Sequence, residues 1–318
     1  MTRPVPPVVV ITGASSGIGR ATAHAFARQG ARVVLASRNP AALATVAGEC
    51  ADLGGETRVV PTDVTDAQAV QALADAAIRA FGRIDVWFNN VGVGTIGRFE
   101  DTPMASHRRV VEANLLGHMH GAHAVVPHFR ARGKGILINM ISLGGLIPAP
   151  YAGSYVASKF GLHGFSESLR AELSDLPEVH VCAVYPAFVD TPGVGHGANY
   201  SGRRVRPPPP LTDPLAVADI VVALARRPRP MVGIGAPVLP GRLAHAVAPD
   251  LLGRGTRWLM DRAFERAGPA QPVDGNLFEP SRGTDIQGGF RQGSPVAGAV
   301  AATALVGAAL LALRALRR

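Results

Sequence analysis

The sequence predicts an α/β chain in which seven short apolar strands alternate with helices. Two observations carry that prediction. Runs of Val, Ile and Leu recur with room for a helix between them, and the first run opens onto a glycine-rich turn and an alanine-rich stretch. A third concerns placement: polar residues suited to chemistry follow directly after several strands, where open α/β sheets gather their ligands. At 318 residues the chain has room for one large α/β domain or two small ones. With 47% hydrophobic and only 5% aromatic residues, the core is expected to be built from Ala, Val and Leu.

Residues 8–11 form the first strand, β-branched throughout like a buried parallel strand. Thr12, Gly13, Ala14, Ser15, Ser16, Gly17, Ile18 and Gly19 follow, and then a helix to Gln29. Three glycines there permit a tight turn and let a dinucleotide pyrophosphate approach the helix N-terminus, although glycines also mark ordinary turns. Residues 32–36 are the second strand, ending in Ser37 and Arg38. An acid at that end would hold the ribose 2′-hydroxyl of NAD, whereas an arginine accommodates a 2′-phosphate, so NADP is expected ahead of NAD.

The third strand, 57–61, is closed by Asp63 and Val64, and Asp63 can cap the helix that runs to Phe81. Residues 84–88 lead into Asn89, Asn90, Val91 and Gly92. A helix over 104–132 places Asn114 among Val110, Val111, Leu115 and Leu116, where an unpaired amide would cost roughly 1–3 kcal/mol. The same helix carries His118, His120, His123 and His128. His120 and His123 could share a face, but no acidic or thiol partner is spaced to complete a metal site. Solvated or interface histidines, and no metal, are the expectation.

Residues 135–141 are the fifth strand and Ser142 stands at its C-terminal end. The next helix, running to about residue 176, holds Tyr155 and Lys159 one turn apart on one face. Free tyrosine titrates near ~10, so a phenolate at neutral pH needs a drop of roughly 4 kcal/mol. One cation about 5 Å away supplies roughly 3 kcal/mol at an effective dielectric near 20. Lys159 with an oxidised nicotinamide would suffice, which makes Tyr155 a candidate proton donor and acceptor for alcohol–ketone chemistry. Residues 180–185 are the sixth strand, followed by Pro186, Ala187, Val189 and Thr191. Residues 193–212, rich in Gly, Arg and Pro, read as a flexible segment long enough to be a substrate lid or a plain disordered excursion. A helix over 213–226 and a last strand over 231–234 complete the series.

The TGxxxGxG loop, the Asn-Asn-Val-Gly run and the ordered set Asn114, Ser142, Tyr155 and Lys159, with Tyr155 thirteen residues after Ser142, resemble the short-chain dehydrogenase/reductase family over about residues 7–235. The resemblance implies a single doubly wound (Rossmann) domain with a seven-stranded parallel sheet. It implies hydride transfer between a nicotinamide and a carbonyl carbon. Tyr155 would supply or remove the proton, and Lys159 would lower its pKa and bind the nicotinamide ribose. Ser142 would orient the substrate oxygen, while Asn114 would kink its helix and hold a relay water. Gly13, Ser15, Ser16, Gly17, Ile18 and Gly19 would cradle the cofactor, Asp63 with Val64 would face the adenine, and Asn90 and Gly92 would line the cleft. Pro186, Val189 and Thr191 would hold its nicotinamide end.

The pattern departs from the family at Val91 and at Ala187, where Ala and Gly are usual, and Ser16 replaces a basic residue, so Arg38 carries the NADP preference alone. The resemblance also implies a homodimer or tetramer. A non-catalytic nucleotide sensor or scaffold is the competing class; such members usually lack the Tyr or the Lys, and both stand here.

The net charge of +9 sits mostly beyond residue 201, with 11 arginines against 5 acids in 202–266. No recognition motif or aromatic interleaving supports nucleic-acid binding. Two cysteines, Cys50 and Cys182, exclude a disulfide framework or a thiolate metal site. With no charged-then-apolar leader, the catalytic part is expected in the cytoplasm.

Past a catalytic domain of residues 1–240, residues 241–267 read as an amphipathic helical extension for packing on the domain, or for a membrane surface. Residues 268–295 read as a flexible linker. Residues 296–313 lack charge over 18 positions and, as a helix, reach about 27 Å, just enough to span a membrane. A C-terminal membrane anchor within 296–318 is expected ahead of an interfacial or soluble helix, although the positive-inside rule disfavours carrying Arg314, Arg317 and Arg318 across. That placement points to a lipophilic carbonyl or alcohol, such as a steroid-, retinoid- or acyl-like compound.

Overall fold

The structure is a computed structural model that describes residues 5–291 except Pro237 and Arg282. In chain order the first half runs β1 (Val8–Thr12), α1 (Gly17–Ala27), β2 (Arg32–Ser37), α2 (Pro40–Asp52), β3 (Glu56–Pro61), α3 (Ala67–Phe81), β4 (Val86–Asn89), β5 (Thr95–Ile96) and α4 (Met104–Val111). It continues through α5 (Gly117–Arg132), β6 (Lys134–Met140), α6 (Gly153–Glu172), β7 (Glu178–Pro186), α7 (Gly193–His196), β8 (Ala198–Asn199), α8 (Pro214–Arg226), β9 (Met231–Ile234), α9 (Val238–Val247) and α10 (Pro249–Arg266).

Seven of the strands form one sheet in the order β3-β2-β1-β4-β6-β7-β9, every pairing parallel. The order reverses at β1, so the chain winds to one edge and then to the other, the doubly wound arrangement expected. Alternation along the strands separates two cores. Val9, Ile11, Leu35 and Phe88 pack with Phe26 of α1, Leu43 of α2 and Val221 of α8. Val10, Val34, Trp87 and Leu137 pack with Leu73 of α3 and Phe129 of α5. A central parallel strand covered on both faces must be apolar on both, and all five residues of β1 are buried.

Local signals explain the helix starts. Asn39 caps α2 by accepting from the Ala42 amide at 3.1 Å, with Pro40 in the first turn. Asp213 caps α8 through the Leu215 amide at 2.9 Å. The cap of α3 is Asp66, accepting from Gln68 and Ala69, and not Asp63 as the sequence suggested. The helix expected over 104–132 is continuous but contains one π-helical turn, Glu112–Leu116, with Asn114 inside it. Such turns often mark functional sites.

Three expectations are corrected. The amphipathic segment is two helices, α9 and α10, and Tyr151, between β6 and α6, holds α10 by a hydrogen bond to Asp261 and by its ring 5.2 Å from that of Phe264. The segment 193–212 is pinned: β8 pairs in parallel with β5, and the Tyr200 hydroxyl bonds Ser106 (2.7 Å) and Asp274. Residues 268–291 of the expected linker are seated on the domain, through antiparallel bridges Asn199–Val273 and Arg203–Pro269 and through contacts described below. The anchor expected over 296–313 lies outside the described residues. Among the described residues no helix is long and apolar enough to cross a membrane.

Candidate active site

Of the residues singled out in the sequence, the loop and turn residues follow the C-terminal ends of β1, β2, β3, β4, β6 and β7, while Asn114 stands in the π-helical turn and Tyr155 and Lys159 on α6. The loop from Gly13 through Ser15, Ser16, Gly17 and Ile18 to Gly19 leaves β1 and enters α1 beside Asn90. The Asn90 amide Nδ2 donates to the carbonyls of Thr12 (3.2 Å) and Gly13 (3.3 Å), and its backbone N–H donates to Thr12 Oγ1 (3.0 Å). Strand β4 therefore locks the turn that follows β1. At Gly19 the approach is closest, since a Cβ there would stand 2.1 Å from the Gly13 oxygen. No side chain fits.

Lys159 is enclosed between α6 and the end of β6. The Lys159 ammonium is buried, donates to the Met140 carbonyl at 2.9 Å, and lies 5.8 Å from the centre of the Tyr155 ring. Gly92 lies beside it; a Cβ there would stand 3.8 Å from Nζ. The Tyr155 ring edge rests near Gly94 and Gly144. Ser142 is at the end of β6, where its hydroxyl accepts from the Gly144 amide at 3.1 Å.

Asn114 is fully buried and fully paired. Its Oδ1 accepts from the Val93 amide, its Nδ2 donates to the Val93 carbonyl (both 2.8 Å), and Nδ2 also reaches Ser158 Oγ at 3.1 Å. Ser158 in turn donates to the Tyr155 carbonyl at 2.7 Å. Asn114 thus fastens the strand-end loop and the Tyr155 turn of α6 together, which removes the cost of burying an amide.

Burial raises the Tyr155 phenol above its ordinary range, and the Ser142 hydroxyl works the other way. Burial pushes Lys159 down to about 7. The expected phenolate is therefore not what these side chains produce by themselves, because loss of solvent outweighs one partly deprotonated neighbour.

At the ends of β2 and β3 the polar side chains are engaged within the chain. Asp63 is paired with Arg109 at 2.7 Å and accepts from the amide (3.0 Å) and hydroxyl (2.8 Å) of Thr65. Burial acts to raise its carboxyl, but these hydrogen bonds hold it below the usual carboxylate range. Val64 is buried, with Gly117 against its side chain. Ser37 ends β2, and its hydroxyl accepts from the Asn39 amide at 3.3 Å. Arg38 donates to four backbone carbonyls, those of Asn276 (2.6 Å), Leu277, Phe278 and Glu279 (3.1 Å each). At the other end Pro186 closes β7, Val189 is buried, and Thr191 stands beside Gly17.

Of the four histidines expected to be solvated or at an interface, three bond backbone groups inside the domain. His118 is buried with Nε2 2.8 Å from the Val91 carbonyl, His120 Nδ1 is 2.9 Å from the Val64 carbonyl, and His128 Nε2 accepts from the Ile84 amide at 3.1 Å; only His123 is exposed. Burial, then Lys159, pushes His118 down to about 3, so it is a neutral donor. Sequence reasoning missed Arg109, Ser158 and the role of His118. The available signal was position: His118 lies one turn after Asn114 on the same helix. Among the described residues no group of three or more His, Cys, Asp or Glu could hold a metal ion.

A model of the short chain dehydrogenase family matches residues 7–198. An oxidoreductase of Bacillus subtilis, YxnA, is 35% identical over 268 residues, 83% of this chain and 75% of the relative. Among solved structures, a short chain dehydrogenase/reductase from Burkholderia phymatum in complex with NAD aligns with TM-score 0.67 and 28% identity, covering 86% of this chain and 99% of that one. An alcohol dehydrogenase from the archaeon Thermococcus sibiricus complexed with 5-hydroxy-NADP aligns with TM-score 0.64 and 27% identity, covering 72% and 96%.

Proposed function

The chain belongs to the short chain dehydrogenase family of oxidoreductases, and from that premise we propose that it interconverts ketones or aldehydes with alcohols using NADP(H), on lipophilic substrates. The observation that carries this reading is the approach of Tyr155 to Lys159 and to Ser142, with the glycine loop shaped to admit a pyrophosphate against α1.

When bound, the dinucleotide supplies or accepts the hydride at the substrate carbon. Tyr155 Oη gives its proton to the carbonyl oxygen in reduction and takes it back in oxidation. Ser142 donates to the same oxygen and stabilises the charge that develops there. Lys159, when protonated, favours the phenolate that remains. A phenol raised by burial is held protonated at neutral pH, which suits the reduction direction.

Lys159 gives a pH dependence. Burial disfavours its cation, so the charge that attracts an anionic dinucleotide is lost as pH rises through about 7. The value of kcat/KM for the reduced cofactor, which reports the free enzyme, is expected to fall on the alkaline side of that pH. A flat profile from pH 6 to 9 would count against a role for the Lys159 cation.

Support for NADP is the arginine at the end of β2 with no acid beside it. Arg38→Leu is expected to lower affinity for NADPH relative to NADH about 10–100-fold, the worth of a charge-assisted hydrogen bond. Titration of both cofactors into both proteins checks this, and an equal loss for NADH would overturn the assignment. Support for a lipophilic substrate is the apolar group of Leu143, Leu146, Ile147, Val238 and Leu252 next to Ser142. Exposed Phe99, Met104 and Leu116 on the face of α4 and α6 favour a homodimer. Membrane attachment through 296–313 belongs to the same reading, tested by fractionating cells that express the full chain. The enzymatic test is oxidation of NADPH against a panel of hydrophobic carbonyls.

A further inference from the structure

Backbone atoms of the described residues between 276 and 291 follow the cofactor groove from the end of β2 to the end of β7. At the adenosine end they supply the four carbonyls on Arg38, and the Leu277 carbonyl also accepts from Arg109 Nε at 3.0 Å. The Leu277 side chain is 1% exposed, sunk among Val93, Val110 and Ala113, with Val91 and Tyr155 against the same cluster. Midway, the Thr284 carbonyl accepts from Arg20, and the Asp285 carbonyl accepts from the Gly17 amide at 2.9 Å. At the far end the Gly288 amide donates to the Asp190 carbonyl (3.1 Å), and the amides of Phe290 (2.9 Å) and Arg291 (3.2 Å) donate to its carboxylate.

We propose that the groove has two mutually exclusive ligands, the dinucleotide and the chain's own segment 276–291, so that this strap must leave before cofactor enters. The proposal rests on the oxidoreductase reading above and adds its regulation. The physical reason for exclusion, as opposed to a cover closing over bound cofactor, is that both ligands need the same donors. A guanidinium whose four terminal N–H groups all donate to carbonyls has only its Nε–H left to aim at a 2′-phosphate. The Gly17 amide, at the mouth of α1, has one proton and the Asp285 oxygen holds it. Carbonyl oxygens here meet the groove where phosphate oxygens would, and a buried leucine fills apolar space near Val91 and Val93. With most molecules in the closed form, apparent cofactor affinity is reduced by the open fraction, so a strap closed nine times in ten costs about tenfold.

Two substitutions loosen the strap without replacing a catalytic or cofactor-binding side chain. Leu277→Asp places a charge in an apolar pocket. Gly288→Val acts at the opposite end, where a Cβ would stand 2.6 Å from the Thr191 carbonyl oxygen. In full-length protein, NADPH titrated by fluorescence is expected to bind about tenfold tighter to each variant than to the unaltered chain. Hydrogen exchange on the unaltered chain gives a second readout that needs no substitution and no turnover. Saturating NADPH is expected to speed exchange of the amides at 288, 290 and 291 and to slow that at Gly17 or leave it slow. Unchanged or weaker binding in both variants, or slower exchange at 288–291 on adding NADPH, overturns the proposal. If the unaltered chain and both variants bind neither NADPH nor NADH, the oxidoreductase reading falls with it; equal binding by all three sinks the strap alone.

Discussion

Tyr155→Phe is expected to lower kcat about 10²–10⁴-fold, the usual worth of a positioned general acid, while dinucleotide affinity changes less than twofold. The phenol oxygen is the only polar atom removed. Nothing in the fold depends on it, because the ring contacts near Gly94 and Gly144 and the backbone bond from Ser158 survive in phenylalanine. Folding is therefore expected to be intact, with Tm within a degree or two of the parent, so lost turnover reports chemistry. Cofactor titration and turnover on one preparation make the check. Turnover within about fivefold of the parent would exclude Tyr155 as the proton donor, whereas a parent that binds dinucleotide but turns over no carbonyl would favour a sensor or scaffold.

Gly19→Ala is expected to remove dinucleotide binding by at least tenfold and to lower stability by about 1–3 kcal/mol, the range for forcing an extra methyl into a packed site. The new Cβ would stand 2.1 Å from the Gly13 oxygen and 2.8 Å from Asn90 Nδ2. Neither neighbour is the free end of a flexible side chain. The Gly13 carbonyl is backbone and Asn90 is fixed by its own bonds to Thr12 and Gly13, so the loop itself must move. Gly48→Ala is the contrast: this exposed position in α2 has nothing within 4 Å of the added carbon, so a gain of about 0.5–1 kcal/mol is expected there. Thermal melts and cofactor titrations of the two variants separate loop geometry from a general effect of replacing glycine.

Much of the catalytic centre was legible because its signals are local. Tyr155 and Lys159 share a helix face by spacing alone, and Asn114 stood out as an amide in an apolar stretch that had to be paired. Its partners were not legible. Val93 lies in a loop 21 residues away and Ser158 is 44 away, and only the folded chain brings them to one amide. The protonation of the Tyr155 and Lys159 pair was not legible for a similar reason. Spacing gives the distance between two groups, whereas their pKa values depend on how much solvent the rest of the fold removes. Arg109 escaped notice because its value lies in reaching Asp63, 46 residues earlier.

By itself the sequence determined the alternation of strands and helices, the glycine turn after β1 and the order of the polar residues at the strand ends, since each follows from side-chain pattern over a few residues. Only the tertiary structure decided where the chain goes after α10 and what Arg38 holds. The carbonyl of Asn276 meets that guanidinium across 238 residues of sequence. Every residue carries the same carbonyl, so such a partner leaves no mark in the side-chain pattern, and a stretch of Gly, Pro and Ser reads as a linker until the groove that binds its backbone has been formed.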